Sequence, residues 1–234
     1  NTLVLALLTA AGTTLMGTGT LRINGNATQN FPWTVSGLTV WHQSGTWTNS
    51  AGNPTVFAED NSLNWSGGTF AGAGNYFVPA GVTITLGSGG HNLTSVLTNS
   101  GTINWTAGVI GGATGSIQNT NGAVFNINYN ETSQLHAAFT NQAGGTVNQN
   151  GTGTFNTYVD GWGNHFGTFT NAGTINLVNG NWTFVAHNTH SGTIDIPTGR
   201  TLSFTGGTAN LNAGTTFTGS GAIVNTGTTN QNFP

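Results

Sequence analysis

Short phrases of this sequence return at intervals of about 20 residues, and that recurrence constrains the fold more than any other feature. The run Phe169-Thr170-Asn171-Ala172-Gly173-Thr174-Ile175-Asn176-Leu177 has relatives beginning at Leu97, Ile117 and Phe139, so the first apolar positions fall at 97, 117, 139 and 169. A second phrase, Leu63-Asn64-Trp65-Ser66-Gly67-Gly68-Thr69-Phe70, recurs further along the chain from Ile103 to Ile110. A third pairs Val78–Leu86 with Ile196–Phe204. Within each phrase apolar and polar residues alternate, and the runs break at Gly or Asn, which is the pattern of half-buried strands and tight corners. A unit of that size cannot bury its own apolar face and must stack on its copies.

The expected fold is therefore all-β: a parallel β-solenoid of roughly eleven coils, with strands of about five residues and a rod length of about 50 Å. Thr (43), Gly (38) and Asn (32) fill nearly half of the 234 positions, and all three are poor helix formers. Inward Val, Ile, Leu and Phe would stack on their equivalents, and recurrent Asn would form ladders along the axis. A β-sandwich is the alternative, since it also uses short strands, but these repeats share motif identity and not only spacing.

Composition then narrows the function. Only 3 % of residues are charged, and Arg22 and Arg200 are the sole basic side chains apart from histidine. Such a chain has no phosphate-binding surface and no polybasic patch, which speaks against nucleic acid and acidic membranes as partners. With no cysteine there is no disulfide, thiolate metal site or Cys nucleophile. In a solenoid, equivalent residues lie about 4.8 Å apart, so charges in register would repel along the rod while neutral Asn and Thr stack without that cost.

The candidate chemistry is sparse. Of the acids Glu59, Asp60, Glu131, Asp160 and Asp195, only the first two are adjacent, and strand neighbours point to opposite faces. Paired carboxylates across a cleft, as glycoside hydrolysis needs, are not evident. His187 and His190, with Asp195 beyond them, make a weak metal candidate. No cofactor and no catalytic residue is expected. Thr-x-Thr triplets, such as Thr46–Thr48 and Thr83–Thr85, are irregularly spaced, whereas an ice-binding face needs the same position in successive coils. Seven Trp would offer a sugar platform if exposed, but Trp65 and Trp105 hold equivalent motif positions, which favours stacked packing. Seven Asn-x-Ser/Thr sequons, from Asn26 to Asn181, matter only where the source glycosylates its proteins.

The whole chain, 1–234, reads as one domain. Residues 213–234 repeat residues 11–32 at a constant offset of 202, with 11 of 22 positions identical and a shared Gln-Asn-Phe-Pro at the close. Both a tandem array and a subunit with two similar end coils fit that offset. Residues 1–10 contain the unbroken apolar run Leu3-Val4-Leu5-Ala6-Leu7-Leu8, which lacks a basic flank for a signal peptide and is too short for a membrane helix. A strand apolar on both faces is buried on both, either under its own coil or inserted into a neighbouring subunit. The candidate assembly interface is thus Leu3, Val4, Leu5, Ala6, Leu7 and Leu8, with Phe31, Pro32, Phe233 and Pro234 from the similar ends.

The phrases at 170–176, 63–70 and 196–204 resemble the β-strand repeats of very large bacterial surface and secreted proteins, and the shafts of filamentous-haemagglutinin-like adhesins and autotransporter passengers. That resemblance implies an extracellular or cell-surface fibre or adhesin shaft without enzymatic activity, whose partner is chiefly itself. Surface glycans are the other partner class it leaves open. It carries no secretion domain, membrane barrel or basic ligand patch, so adhesion rests on no residue here. The alternatives to a filament are a carbohydrate- or surface-binding adhesin segment, a β-helix polysaccharide-active enzyme and an ice-binding protein.

Overall fold

The computed structural model describes residues 2–4, 18–157 and 167–233. Among them there is no helix; 31 short strands form three parallel sheets, one of eleven strands and two of ten. The chain visits the sheets in fixed order. Thr20–Ile23 lies on the first face, Ala27–Gln29 on the second and Trp33–Val35 on the third, and Thr39–His42 then returns to the first. Ten such coils follow one another, and Thr2–Val4 adds an eleventh strand to the first face. A β-solenoid is the fold; a sandwich is excluded because every pairing is parallel and joins one coil to the next.

One expectation needs correction. The strands hold three or four residues rather than five, because three corners must fit into a coil of about 21 residues. The coil count agrees with the expectation, at about ten turns of ~21 residues with Thr2–Val4 giving the first face its eleventh strand; the coils are not uniform, since the one that carries Thr20 to its partner Thr39 is short and the one that carries Thr146 to Thr174 is half as long again.

The repeats stack as their alternation requires. Leu97, Ile117, Phe139 and Phe169 are in register on the third face, all inward and at most 2 % exposed. Each contributes roughly 1.5–3 kcal/mol by burial of its side chain. Phe139 and Phe169 stack with centroids 5.0 Å apart and planes 3° from parallel. Trp65 and Trp105 occupy one inward file of the first face with Leu86 between them, and neither is exposed.

Glycine makes the corner between the first and second faces. Gly45 (φ +75°) and Gly108 (φ +83°) are left-handed, and a Cβ on either would strike the backbone of the glycine one coil below, Gly25 and Gly89 respectively. The sharp corner keeps the coils at ladder spacing.

Candidate assembly site

Among the described residues, one set of strand edges without a neighbour lies at the last coil: Thr216–Thr218, Ala222–Asn225 and Thr228–Gln231. Each strand pairs on one edge only, with Thr193–Asp195, Thr201–Phe204 and Thr208–Leu211. The other edge offers a row of unpaired amide and carbonyl groups, a template for a further strand. The core is open there as well. Leu202 is fully buried, yet Ile223, next in its inward file, is 47 % exposed; Val224, which pairs with Ser203, faces outward and is 42 % exposed. Phe217 and Phe233 are half-buried against the core.

At the opposite end Leu3 and Val4 pair with Leu21 and Arg22 of their own chain, so this part of the apolar run is a strand of the first face. Leu5, Ala6, Leu7 and Leu8 lie outside the described residues, as does Pro234. Phe31 is buried, Pro32 is exposed and Phe233 is half-buried.

Gln29 and Gln231 compare a covered corner with an uncovered one. In both, the side-chain amide donates to the carbonyl two residues on, Phe31 (2.8 Å) and Phe233 (3.4 Å). Gln29 is fully buried, and its Oε1 also accepts from Thr55 Oγ1 of the next coil at 2.8 Å. Gln231 is exposed and has only the local bond.

Two asparagine ladders run along the rod. The inward one joins Asn99, Asn119, Asn141 and Asn171 by Nδ2–H donation to the Oδ1 of the next, at 2.8 Å in each step. The outward one, on the first face, joins Asn104, Asn126, Asn148 and Asn176 at 2.8–2.9 Å. Outward charges are isolated in their files. Arg22 lies 4.1 Å over the Trp41 ring, and Asp195 accepts from Thr218 Oγ1 at 2.6 Å between neutral neighbours.

The titratable residues fill structural positions. Glu59 accepts from Ser36 Oγ (2.5 Å) and Gly37 N–H (2.9 Å), and these bonds hold its carboxyl below the usual range. Its neighbour Asp60 accepts from Thr83 N–H at 2.7 Å. Glu131 accepts from the Tyr129 hydroxyl at 3.1 Å, while Asp160 lies outside the described residues. His42, His91 and His190 are buried in the core, and burial pushes each below its ordinary value, His190 to about 3. Their Nε2 atoms meet Thr69 O, Trp65 O and Asn188 Oδ1, contacts that a neutral Nε2–H tautomer satisfies. His187 instead sits at a corner, where its Nδ1 accepts from Thr208 N–H, and Asp195 faces outward on another sheet. The metal candidate thus does not converge, and among the described residues no three His, Asp or Glu come together.

Nor do the aromatic and threonine residues gather into a platform. Trp33, Trp47, Trp65, Trp105 and Trp182 are core residues; Trp41 faces outward, with its Nε1–H bonded to Ser66 Oγ, and Trp162 lies outside the described residues. The Thr-x-Thr pairs scatter between faces, Thr46–Thr48 on the second and Thr83–Thr85 on the first. What does align is a single file on the first face that includes Thr20, Thr39, Thr83, Thr102, Thr146 and Thr174.

Sequence reasoning missed Phe217, Ile223 and Val224, because alternation marks which side of a strand is buried and not which coil lies above it. No protein-family model, curated protein or solved structure matches the chain.

Proposed function

We propose that the chain is a structural segment of an extracellular filament or fibre shaft, lengthened end to end by stacking coil on coil. The observation that carries this reading is the stack itself: every pairing is parallel and joins one coil to the next, so the apolar file that runs through Leu202 to Ile223 can be carried on by a further coil. Supporting it are the neutral ladders, which let copies stack without charge repulsion, and the burial of histidines and tryptophans in packing roles. On this reading the protein is not an enzyme, and its principal partner is a further copy of the same unit. Having two arginines and no lysine also leaves few sites for trypsin-type proteases, which suits exposure outside the cell.

Ile223→Lys tests it by placing a charge on the open end without disturbing a covered residue. Negative-stain micrographs should show filaments for the parent and single rods of about 50 Å for the variant. Circular dichroism should be the same for both. Filaments undiminished by the substitution, or none in the parent, would sink the reading.

A further inference from the structure

The two similar segments do not occupy similar places on the rod. The offset that relates their sequences carries the strand Thr20–Ile23 onto Ala222–Asn225, position for position, and carries Ala27–Gln29 into Thr228–Gln231. In both pairs the strands end at matching residues, and the Gln-Asn-Phe-Pro corner makes the same amide-to-carbonyl bond in both. The faces, however, differ. Thr20–Ile23 belongs to the first face and Ala222–Asn225 to the second; Ala27–Gln29 belongs to the second and Thr228–Gln231 to the third. Between the copies the chain completes nine coils and one further face.

We propose that successive units of the fibre are joined with this one-face offset. The coil covering residues 216–234 is then the counterpart of Trp33–Phe57 from a second copy of the unit. Chemically equal faces wind round the fibre and come back into line at every third unit. This deepens the filament reading and rests on it.

Packing shows why the offset suits the open coil. In the covered segment Leu21 pairs with Val40, Ala27 lies beside Trp47, and Gln29 takes the Thr55 hydroxyl. These contacts leave Leu21 3 %, Ala27 2 % and Gln29 0 % exposed. At the same sequence offset their counterparts are Ile223, Thr229 and Gln231: an aliphatic residue, a small one and the same amide. A covering coil of the same chemistry, turned by one face, sets its valine on Ile223, its tryptophan on the small Thr229 and its threonine at Gln231. Stacked without the turn, that tryptophan would fall on Ile223, as Trp182 falls on Leu202, and the small neighbour that Ala27 gives Trp47 would not be reproduced. The main chain permits either choice, since all three faces are parallel ladders and present the same edge.

Two fused chains decide between them. In one, residues 33–234 follow Pro234, which continues the offset of the two similar segments; in the other, residues 39–234 follow it, so that each face continues as itself. The offset fusion should melt in one transition and resist protease at the joint, whereas the other should be cut there and melt in two. In a reconstruction of the offset rod the second unit should be turned by one face and raised by about 45 Å, nine and one-third ladder spacings. A face-preserving fusion that is as stable as the offset one, or native filaments with units stacked face on face, would overturn the proposal and leave the filament reading intact. If the parent forms no filaments but the offset fusion still melts as one body, the filament reading fails and the offset joint stands.

Discussion

The two asparagine ladders use the same side chain, the same number of coils and nearly the same bond length, yet they differ in what the main chain does to them. On the inward ladder Asn99, Asn119 and Asn141 each also donate from Nδ2 to a carbonyl of the following coil, at Val124, Thr146 and Thr174, 3.0–3.1 Å away. Those carbonyls dictate which way each amide points. The outward ladder bonds only to other asparagines, and its Nδ2 groups point toward the opposite end of the rod. All four inward amides are fully buried, whereas the outward ones are half-buried and within reach of water. A ladder seen in cross-section says little about its importance; burial and main-chain partners decide it.

Aspartate substitution should break that symmetry most sharply. In Asn119→Asp an oxygen replaces Nδ2 and faces three acceptors, Asn141 Oδ1, Thr146 O and Ala123 O. A buried carboxylate so placed should destabilise by about 3–5 kcal/mol. Asn126→Asp loses one donor, to Asn104, on a wet face, and should change stability by no more than about 0.5 kcal/mol. Urea titrations followed by tryptophan fluorescence measure both. Equal losses would mean that burial does not distinguish the ladders.

Acid should also act through the inward file. Beyond Asn171 that file continues as His190, and the outward one beyond Asn176 continues as Asp195. Burial pushes His190 down to about 3, against about 6.5 in an unfolded chain. Between those values the unfolded state takes up a proton that the folded core refuses, so stability falls as pH drops below about 6.5. The loss from this residue should reach about 2 kcal/mol at pH 5. His190→Asn would continue the amide file and should flatten the melting temperature against pH over that range. His42 and His91, also lowered by burial, should retain the slope they contribute. A profile unchanged by the substitution would show that His190 takes up its proton without opening the core.

Both ladders stand in the recurring phrase, and parity separates them. In Phe169-Thr170-Asn171-Ala172-Gly173-Thr174-Ile175-Asn176 the alternation passes through the corner without a break. Phe169, Asn171, Gly173 and Ile175 therefore point inward, and Asn176 outward. Period and register were legible for the same reason: Leu97, Ile117, Phe139 and Phe169 are one inward file, found by matching motifs. Alternation says which side of a strand is buried but not which strand lacks a neighbour above it. An unbroken apolar run therefore points to Leu3 and Val4, which pair within their own chain, and not to Ile223, whose exposure follows from counting coils. The number of faces was equally hidden, since corners of varying length place similar phrases on different sheets. The two copies of Gln-Asn-Phe-Pro do so, at the corner leaving the second face and at the corner leaving the third.

The finest difference between the ladders is how far neighbouring rungs depend on one another. Truncating Asn119 strands the Asn141 oxygen in a dry core, with no water to replace the lost donor. Truncating Asn141 likewise strands the Asn119 amide, which then keeps only its main-chain acceptors. Removing both leaves fewer orphaned groups than the two single losses imply, so a double-mutant cycle on Asn119→Ala and Asn141→Ala should give a coupling of about 1 kcal/mol. Asn126 and Asn148 exchange one bond on a surface where water substitutes for either partner, and their cycle should give about 0.3 kcal/mol. Equal couplings would show that the Asn-to-Asn bond itself sets the interaction. Unequal ones assign it to burial and to the carbonyls that hold the inward amides in one direction.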